Sequence, residues 1–141
     1  MKKPNPLTKR ALLFAVLLTF GAATERANVL PLASIGFAPV GLTMDQTAQL
    51  NLVNTSVPGG ILVNWRFIDA NGLVIAQSTV TLPLGTIVSV DYARQGGLPR
   101  GEVRAQVDIF TSVAAGSLRA SLEVFNNDTG ATTVCMGGAT P

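Results

Sequence analysis

The sequence predicts an all-β protein: an immunoglobulin-like antiparallel β-sandwich of about seven short strands, preceded by an N-terminal signal helix. Short apolar runs recur at intervals of roughly ten residues and are separated by turn-forming residues, as expected for successive strands. Several runs alternate apolar and polar residues, which is the period of a half-buried strand. No helical period stands out after residue 28.

Residues 1–27 have the three parts of a secretory signal peptide. Residues 2–10 are positively charged, residues 11–23 are uncharged and apolar, and small residues follow. Thirteen helical residues rise about 20 Å, less than the roughly 30 Å hydrocarbon core of a membrane. We therefore expect cleavage after Ala23 or Ala27, no stable membrane span afterwards, and a periplasmic or extracellular location in a bacterium. The alternatives are an uncleaved anchor or a buried helix.

Residues 28–141 are predicted to form a single β-sandwich domain. Its first segment, the arm of residues 28–40, is apolar but is interrupted by Pro31 and Pro39. Proline has no N–H group to donate to a sheet and is confined to strand ends and sheet edges. The segment is therefore predicted to be an extended arm or a first edge strand.

The runs that follow the arm predict one strand each. In the second of them, Trp65 shares its face with three other apolar side chains, so it is expected in the core rather than in a ligand patch. The predicted strands cover residues 47–54, 61–68, 73–82, 86–92, 102–110, 117–125 and 131–136.

The clearest alternation occurs in residues 102–110 and 117–125. The linker between them is short, which predicts that they pair as a hairpin. Registers that turn both apolar faces inward bring Arg104 near Glu123, and opposite charges on paired strands stabilise a sheet.

The residue types needed for most catalytic sites are missing. No histidine occurs in the chain and no lysine follows Lys9, which removes imidazole bases, imidazole zinc sites, serine–lysine dyads and Schiff bases. The acidic residues fall mostly in turns or on outward strand faces, without the apolar surroundings that raise a carboxyl pKa. We expect no enzyme, no cofactor and no metal site.

The net charge of the chain is +2, but its basic residues are concentrated in the leader. From residue 28 onward there are five arginines and seven acidic residues, which gives a net charge of −2. No basic stripe remains to follow a phosphate backbone, so nucleic-acid binding is not expected.

Cys135 is the only cysteine in the chain, so no internal disulfide forms. It falls in the last apolar run, and free cysteine is among the most buried residue types. We expect a small buried side chain at this position, with an intermolecular disulfide as the alternative.

The best candidate for an exposed recognition loop is the stretch of residues 93–101. It contains Arg94, Gln95 and Arg100 together with three glycines and one proline. Binding residues occur disproportionately in loops, which makes these three side chains candidate contacts. The alternative is an ordinary flexible crossover between two strands.

Three short motifs carry a family resemblance. The sequences LNLVN (50–54), RFIDANG (66–72) and LEVFNNDTG (122–130) resemble a loose group of small exported bacterial β-sandwich proteins of unknown function. The resemblance spans roughly residues 36–135. It implies a secreted β-sandwich and carries over no activity and no functional residue. Two asparagines at 126–127 replace the single aspartate expected there.

These observations favour an exported, non-enzymatic β-sandwich that acts as a structural or protein-interaction module. Edge strands offer unpaired backbone groups, so self-association or pairing with another protein through such an edge is expected. The alternative from a different functional class is a module that binds a glycan or another small ligand.

Overall fold

The computed structural model describes residues 29–94 and 100–141. In these residues the fold is all-β, without a helix, and consists of two antiparallel sheets. This confirms the predicted fold class at the level of an all-β, sandwich-like architecture. The predicted signal peptide, with its cleavage sites after Ala23 and Ala27, lies outside the described residues.

The described residues form nine strands, of which seven correspond to the predicted strands. The predicted arm contributes the other two, which are short. The strands are β1 (Ala33–Gly36), β2 (Val40–Leu42), β3 (Gln46–Asn54), β4 (Ile61–Asp69), β5 (Val74–Leu82), β6 (Ile87–Ala93), β7 (Gly101–Ile109), β8 (Leu118–Asn126) and β9 (Thr132–Ala139).

The first sheet has the strand order β1–β7–β4–β5, and β2 also pairs with β7. The second sheet has the order β6–β3–β8–β9. The strands β3 and β4 follow one another in the chain but lie in different sheets, where they pair with β6 and β7 respectively. The chain therefore crosses between the sheets repeatedly, and both sheets contribute to one core.

The core lies between the sheets and is built from the alternate residues that each strand turns inward. Leu50, Phe67 and Leu122, from three different strands, have no exposed surface. Burying an aliphatic or aromatic side chain of this size contributes about 1.5–3 kcal/mol, so the alternating pattern supplies most of the stabilisation. This burial is the physical reason why sequence alternation locates the strands.

The predicted hairpin between residues 102–110 and 117–125 is wrong. The strands over these residues, β7 and β8, belong to different sheets, and β8 pairs with β3 and β9 instead. Their inward faces oppose each other across the core rather than side by side. Alternation is the same in either arrangement, and the expected pairing of Arg104 with Glu123 does not form.

A polar clamp on the outer face of the first sheet fastens β1 to β7 and β4. The carboxylate of Asp108 accepts hydrogen bonds from Ser34 Oγ at 2.6 Å and Gln106 Nε2 at 2.9 Å, and forms an ion pair with Arg66. The side chain of Asp108 is 8% exposed and that of Arg66 is 30% exposed. A carboxylate so deeply buried needs these partners, because an unpaired buried charge is strongly destabilising.

A buried asparagine organises the end of the sandwich where β3 leaves its sheet. Asn54 has no exposed surface, and its Nδ2 donates to the carbonyl oxygens of Val57 at 2.8 Å and Leu82 at 3.0 Å. Its Oδ1 accepts from the backbone N–H groups of Ser56 and Val57. All the hydrogen-bonding capacity of this amide is therefore used to fix the β3–β4 turn against the end of β5.

The two ends of the described chain meet at one side of the sandwich. Ile35 of β1 packs against Gly138 of β9, where a Cβ atom would lie 2.7 Å from Cγ2 of Ile35. Glycine at 138 thus lets the outermost strands of the two sheets approach closely.

We predict that Asp108→Ala lowers the free energy of unfolding by about 2 kcal/mol, measured by urea denaturation, because it leaves the partly buried guanidinium of Arg66 without its partner. The double variant Arg66→Leu/Asp108→Leu recovers most of this loss, since it removes both charges. The matched control is Asp91→Ala, which removes an exposed carboxylate and changes stability by less than about 0.5 kcal/mol. A loss as small as that of the control would contradict the clamp.

Candidate functional site

The outer strands of the two sheets are the surfaces of this molecule with unused bonding capacity. An edge strand presents unpaired N–H and C=O groups and so offers a template for a further strand. Soluble proteins blunt such edges with short strands, prolines, bulges or charged residues. The edges of the two sheets differ in these features.

Three of the edge strands carry protective features. Strands β1 and β2 have only four and three residues, and Pro31 and Pro39 lie beside them. Strand β6 carries Asp91 within it and is followed directly by Arg94. These strands are poor templates for pairing, because proline removes a donor and charge opposes association.

The strands β5 and β9 are long and carry no charge or proline. Each has one break in register with its neighbour, between Val74 and Ala76 in β5 and between Thr132 and Val134 in β9, and the rest of each strand pairs regularly. Strand β5 has nine residues and β9 has eight, and neither contains a charged residue or a proline. In the described part of the chain, β5 pairs only with β4, and β9 only with β8. They belong to different sheets, so each sheet has one long, uncharged edge.

Cys135 lies on β9 and is exposed, so the expectation of a buried thiol is wrong. It pairs with Glu123 on the outer face of the second sheet, and the inward positions beside it belong to Val134 and Met136. The apolar run around the cysteine indicated burial, but only its alternate residues turn inward, and even Val134 is 37% exposed at this edge.

The described part of the predicted recognition loop places two arginines at one end of the first sheet. Arg94 packs beside Gly101 and its Nη1 lies 3.4 Å from the carbonyl oxygen of Leu42. Arg100 lies across Gly41, where a Cβ atom would come within 2.0 Å of its Nε. The two arginines therefore cover the paired ends of β2 and β7. Gln95 lies outside the described residues.

A shallow depression of about 290 Å³ lies between the β4–β5 turn and β7. Its polar lining includes Glu102 and Arg104 of β7 together with Asp69 of the turn. The carboxylate of Asp69 accepts hydrogen bonds from the backbone N–H groups of Asn71 at 2.9 Å and Leu73 at 2.8 Å. Asp69 thus serves the turn, where Gly72 adopts a left-handed φ of +84°.

Three aromatic rings connect the two sheets beside β5 and β6. Phe67 is fully buried, and its ring centroid lies 6.0 Å from that of Trp65 and 5.5 Å from that of Tyr92. Trp65 and Tyr92 are only half-buried, so the prediction of a core tryptophan is correct for its packing but not for its full burial. The sandwich therefore presents partly open aromatic surface on this side.

A hydrogen-bonded staple joins the β2–β3 turn to the β8–β9 turn. The carboxylate of Asp45 accepts hydrogen bonds from Thr43 Oγ1 and from Asn126 Nδ2, and its backbone oxygen accepts from the N–H of Asn127 at 2.7 Å. The hydrogen bond from Thr43 is the main reason that the pKa of Asp45 is lowered from its ordinary value of 3.8. Asn126 in turn caps the β8–β9 turn through its own Oδ1.

Among residues 29–94 and 100–141, no three histidine, cysteine, aspartate or glutamate side chains cluster as a metal-binding group. No helix in this part of the chain has the length and apolar character needed to traverse a bilayer. Comparison with protein-family models, curated proteins and solved structures found no match.

We predict that the staple at Asp45 makes stability depend on pH in the acid range. The folded state lowers the pKa of this carboxyl group, so its contribution is present above pH 3.8 and is lost as the pH falls through the lowered pKa. Urea denaturation of Asp45→Asn should show a smaller loss of stability between about pH 4 and pH 2 than the wild type. Identical pH profiles for the two proteins would contradict this.

Proposed function

We propose that the protein is an exported, non-enzymatic β-sandwich that acts as a structural or protein-interaction module by strand addition at its uncharged edges. The observation that carries the proposal is the pair of long edge strands, β5 and β9, without a charge or a proline. Natural β-sheet proteins avoid such edges unless they are covered or used. A strand added there gains a row of backbone hydrogen bonds and extends the sheet.

The engagement of the acidic side chains supports a non-enzymatic role. Asp108 is held by the polar clamp, Asp69 by the amides of its own turn, and Asp45 by the staple between two turns. Each of these carboxylates has a structural role that accounts for its contacts. A general acid or base needs a carboxyl group free to exchange a proton with a substrate, and these are not placed for that purpose.

The distribution of the central strands between the two sheets supports an immunoglobulin-like topology for the sandwich. In such domains, strands B and E share one sheet and strands C and F share the other. The pairs β3–β6 and β4–β7 have this arrangement. The positions beside them differ, because β1 and β2 occupy the edge next to β7, and β8 lies next to β3.

Export to the periplasm or the cell exterior is proposed from the leader of residues 1–27, whose charge and apolar pattern is that of a signal peptide. In its exported form the chain would lose four or five of its ten basic residues and carry a net charge of −2. A mildly acidic surface with two uncharged sheet edges suits contacts with protein rather than with nucleic acid.

We predict that the protein self-associates through these edges, so its elution volume in size-exclusion chromatography should decrease as its concentration rises. The double variant Thr79→Lys/Gly137→Lys places one charge on β5 and one on β9 and should elute as a monomer throughout, because charged edges resist pairing. A monomeric wild type at every concentration, or a double variant that associates like the wild type, would contradict the proposal.

The matched control is Leu62→Lys, which adds the same charge to an exposed position on the central strand β4. This variant should associate like the wild type.

Export is tested separately: the full chain is expressed, the form that the cells accumulate is purified, and mass spectrometry reads its N-terminus. An N-terminus at Thr24 or Asn28 supports export, whereas one at Met1 contradicts a cleaved leader.

A second candidate function, binding of a glycan or another small ligand, is favoured by the half-buried rings of Trp65 and Tyr92. Exposed aromatic faces bind apolar ligand surfaces, and the N–H and O–H groups of these residues add polar contacts. A glycan array should then show hits that Tyr92→Ala removes and that Leu62→Lys preserves. An array without hits would exclude the glycan form of this candidate.

A further inference from the structure

The outer face of β9 carries only small side chains between its free edge and two opposite charges on β8. Cys135 pairs with Glu123 and Ala139 pairs with Arg119, and Gly137 lies between them. All three β9 residues are exposed. Neither Glu123 nor Arg119 forms an ion pair within the described residues. A strand added beside β9 would therefore lie next to small side chains. One strand further in, on β8, it would find the positive charge of Arg119 and the negative charge of Glu123 at a fixed spacing.

The backbone of β9 directs alternate residues towards the free edge. The N–H of Thr140 donates to the carbonyl oxygen of Leu118 at 3.1 Å, which sets the alternation of the ladder with β8. In an antiparallel ladder, successive residues turn their N–H and C=O groups to opposite sides. The backbone groups of Cys135, Gly137 and Ala139 accordingly point away from β8. No strand of the described chain is hydrogen-bonded to β9 on that side.

We propose that these groups bind β9 of a second copy of the chain, antiparallel, about a two-fold axis beside Gly137. This deepens the proposed function and rests on it, since it names the edge, the partner and the register. Gly137 lies opposite its own equivalent, and Cys135 lies opposite Ala139 of the second copy. All three free backbone units of each strand are then used, which gives about six hydrogen bonds. The second sheets of the two copies join into one continuous sheet.

Charge complementarity selects this register. In this register Glu123, Cys135, Ala139 of the second copy and Arg119 of the second copy lie side by side in one row across the four strands. The two-fold axis creates the same row a second time. Strands lie about 4.8 Å apart, so the Cα atoms of these residues are about 14 Å apart, and two long side chains span the small ones between. A shift by two residues instead places Glu123 in the row of Ser121 and loses both attractions. The β9 strands themselves contribute no charge that would repel.

Cysteine cross-linking tests the register. The variant Cys135→Ser/Gly137→Cys places its single thiol beside the axis, where hydrogen-bonded pairs have Cα atoms about 5.5 Å apart, within the range of a disulfide. A side chain fits at 137, because no atom lies within 4 Å of the Cβ position. Under mild oxidation this variant should form linked dimers about tenfold faster than the wild type, whose Cys135 thiols lie about 14 Å apart in the dimer.

A charge exchange tests the same interface without altering β9. Arg119→Glu and Glu123→Arg should each raise the dimer Kd by about tenfold in analytical ultracentrifugation, since each creates two like-charge rows. The double variant Arg119→Glu/Glu123→Arg restores opposite charges and should return the Kd to near the wild-type value. The control Arg104→Glu makes the same change on β7, in the other sheet, and should leave the Kd unchanged.

The outcomes separate this inference from the proposed function. Suppose that the protein associates, and that Cys135→Ser/Thr79→Cys, with its thiol on β5, cross-links while Cys135→Ser/Gly137→Cys does not. The pairing through β9 is then wrong, but association through an edge strand stands. If the double charge variant fails to restore the Kd while the single variants weaken it, the register is wrong. A wild-type protein that is monomeric at all concentrations overturns both.

Discussion

A sheet that does not close into a barrel has to end, and its last strand has one row of backbone groups without a partner in the sheet. This constraint governs the molecule, because each of its two sheets has only four strands in its longest path. Five of the nine strands in the described residues therefore lie at an edge. At one edge the chain uses short strands and prolines, at another a carboxylate, and at β5 and β9 neither. The difference between protected and unprotected edge strands, rather than a cleft, is the distinguishing feature of this molecule's surface.

The polar residues of the three sequence motifs have structural roles at the strand ends. Asn54 fixes the β3–β4 turn, Asp69 accepts the amides of the β4–β5 turn, and Asn126 caps the β8–β9 turn. Each side chain replaces backbone partners that the chain loses where a strand stops. The motifs therefore encode where strands end.

Alternation in the sequence located the ends of the long strands to within one residue, except that β9 continues three residues beyond the predicted end at residue 136. It succeeds because burial of one face stabilises each strand. It did not determine which strands are neighbours. The faces of β7 and β8 alternate identically whether the strands pair or oppose each other across the core, and the expected contact of Arg104 with Glu123 was an accident of spacing. The exposure of Cys135 was missed for a related reason: its depth depends on β9 being outermost, which is a property of the sheet order. The uncharged character of β5 and β9 was visible in the sequence, but its meaning depends on the same order.

The contact between Ile35 and Gly138 joins the first strand to the last, and the hydrogen bond from Ser34 to Asp108 spans 74 residues. Such long-range closure slows folding, because the loop must close before the contacts form. Until β9 docks, Ile35 and Phe37 lack the neighbour that Gly138 provides. A folding intermediate without β9 would therefore expose apolar surface beside the unpaired edge of β8, and species of this kind aggregate readily.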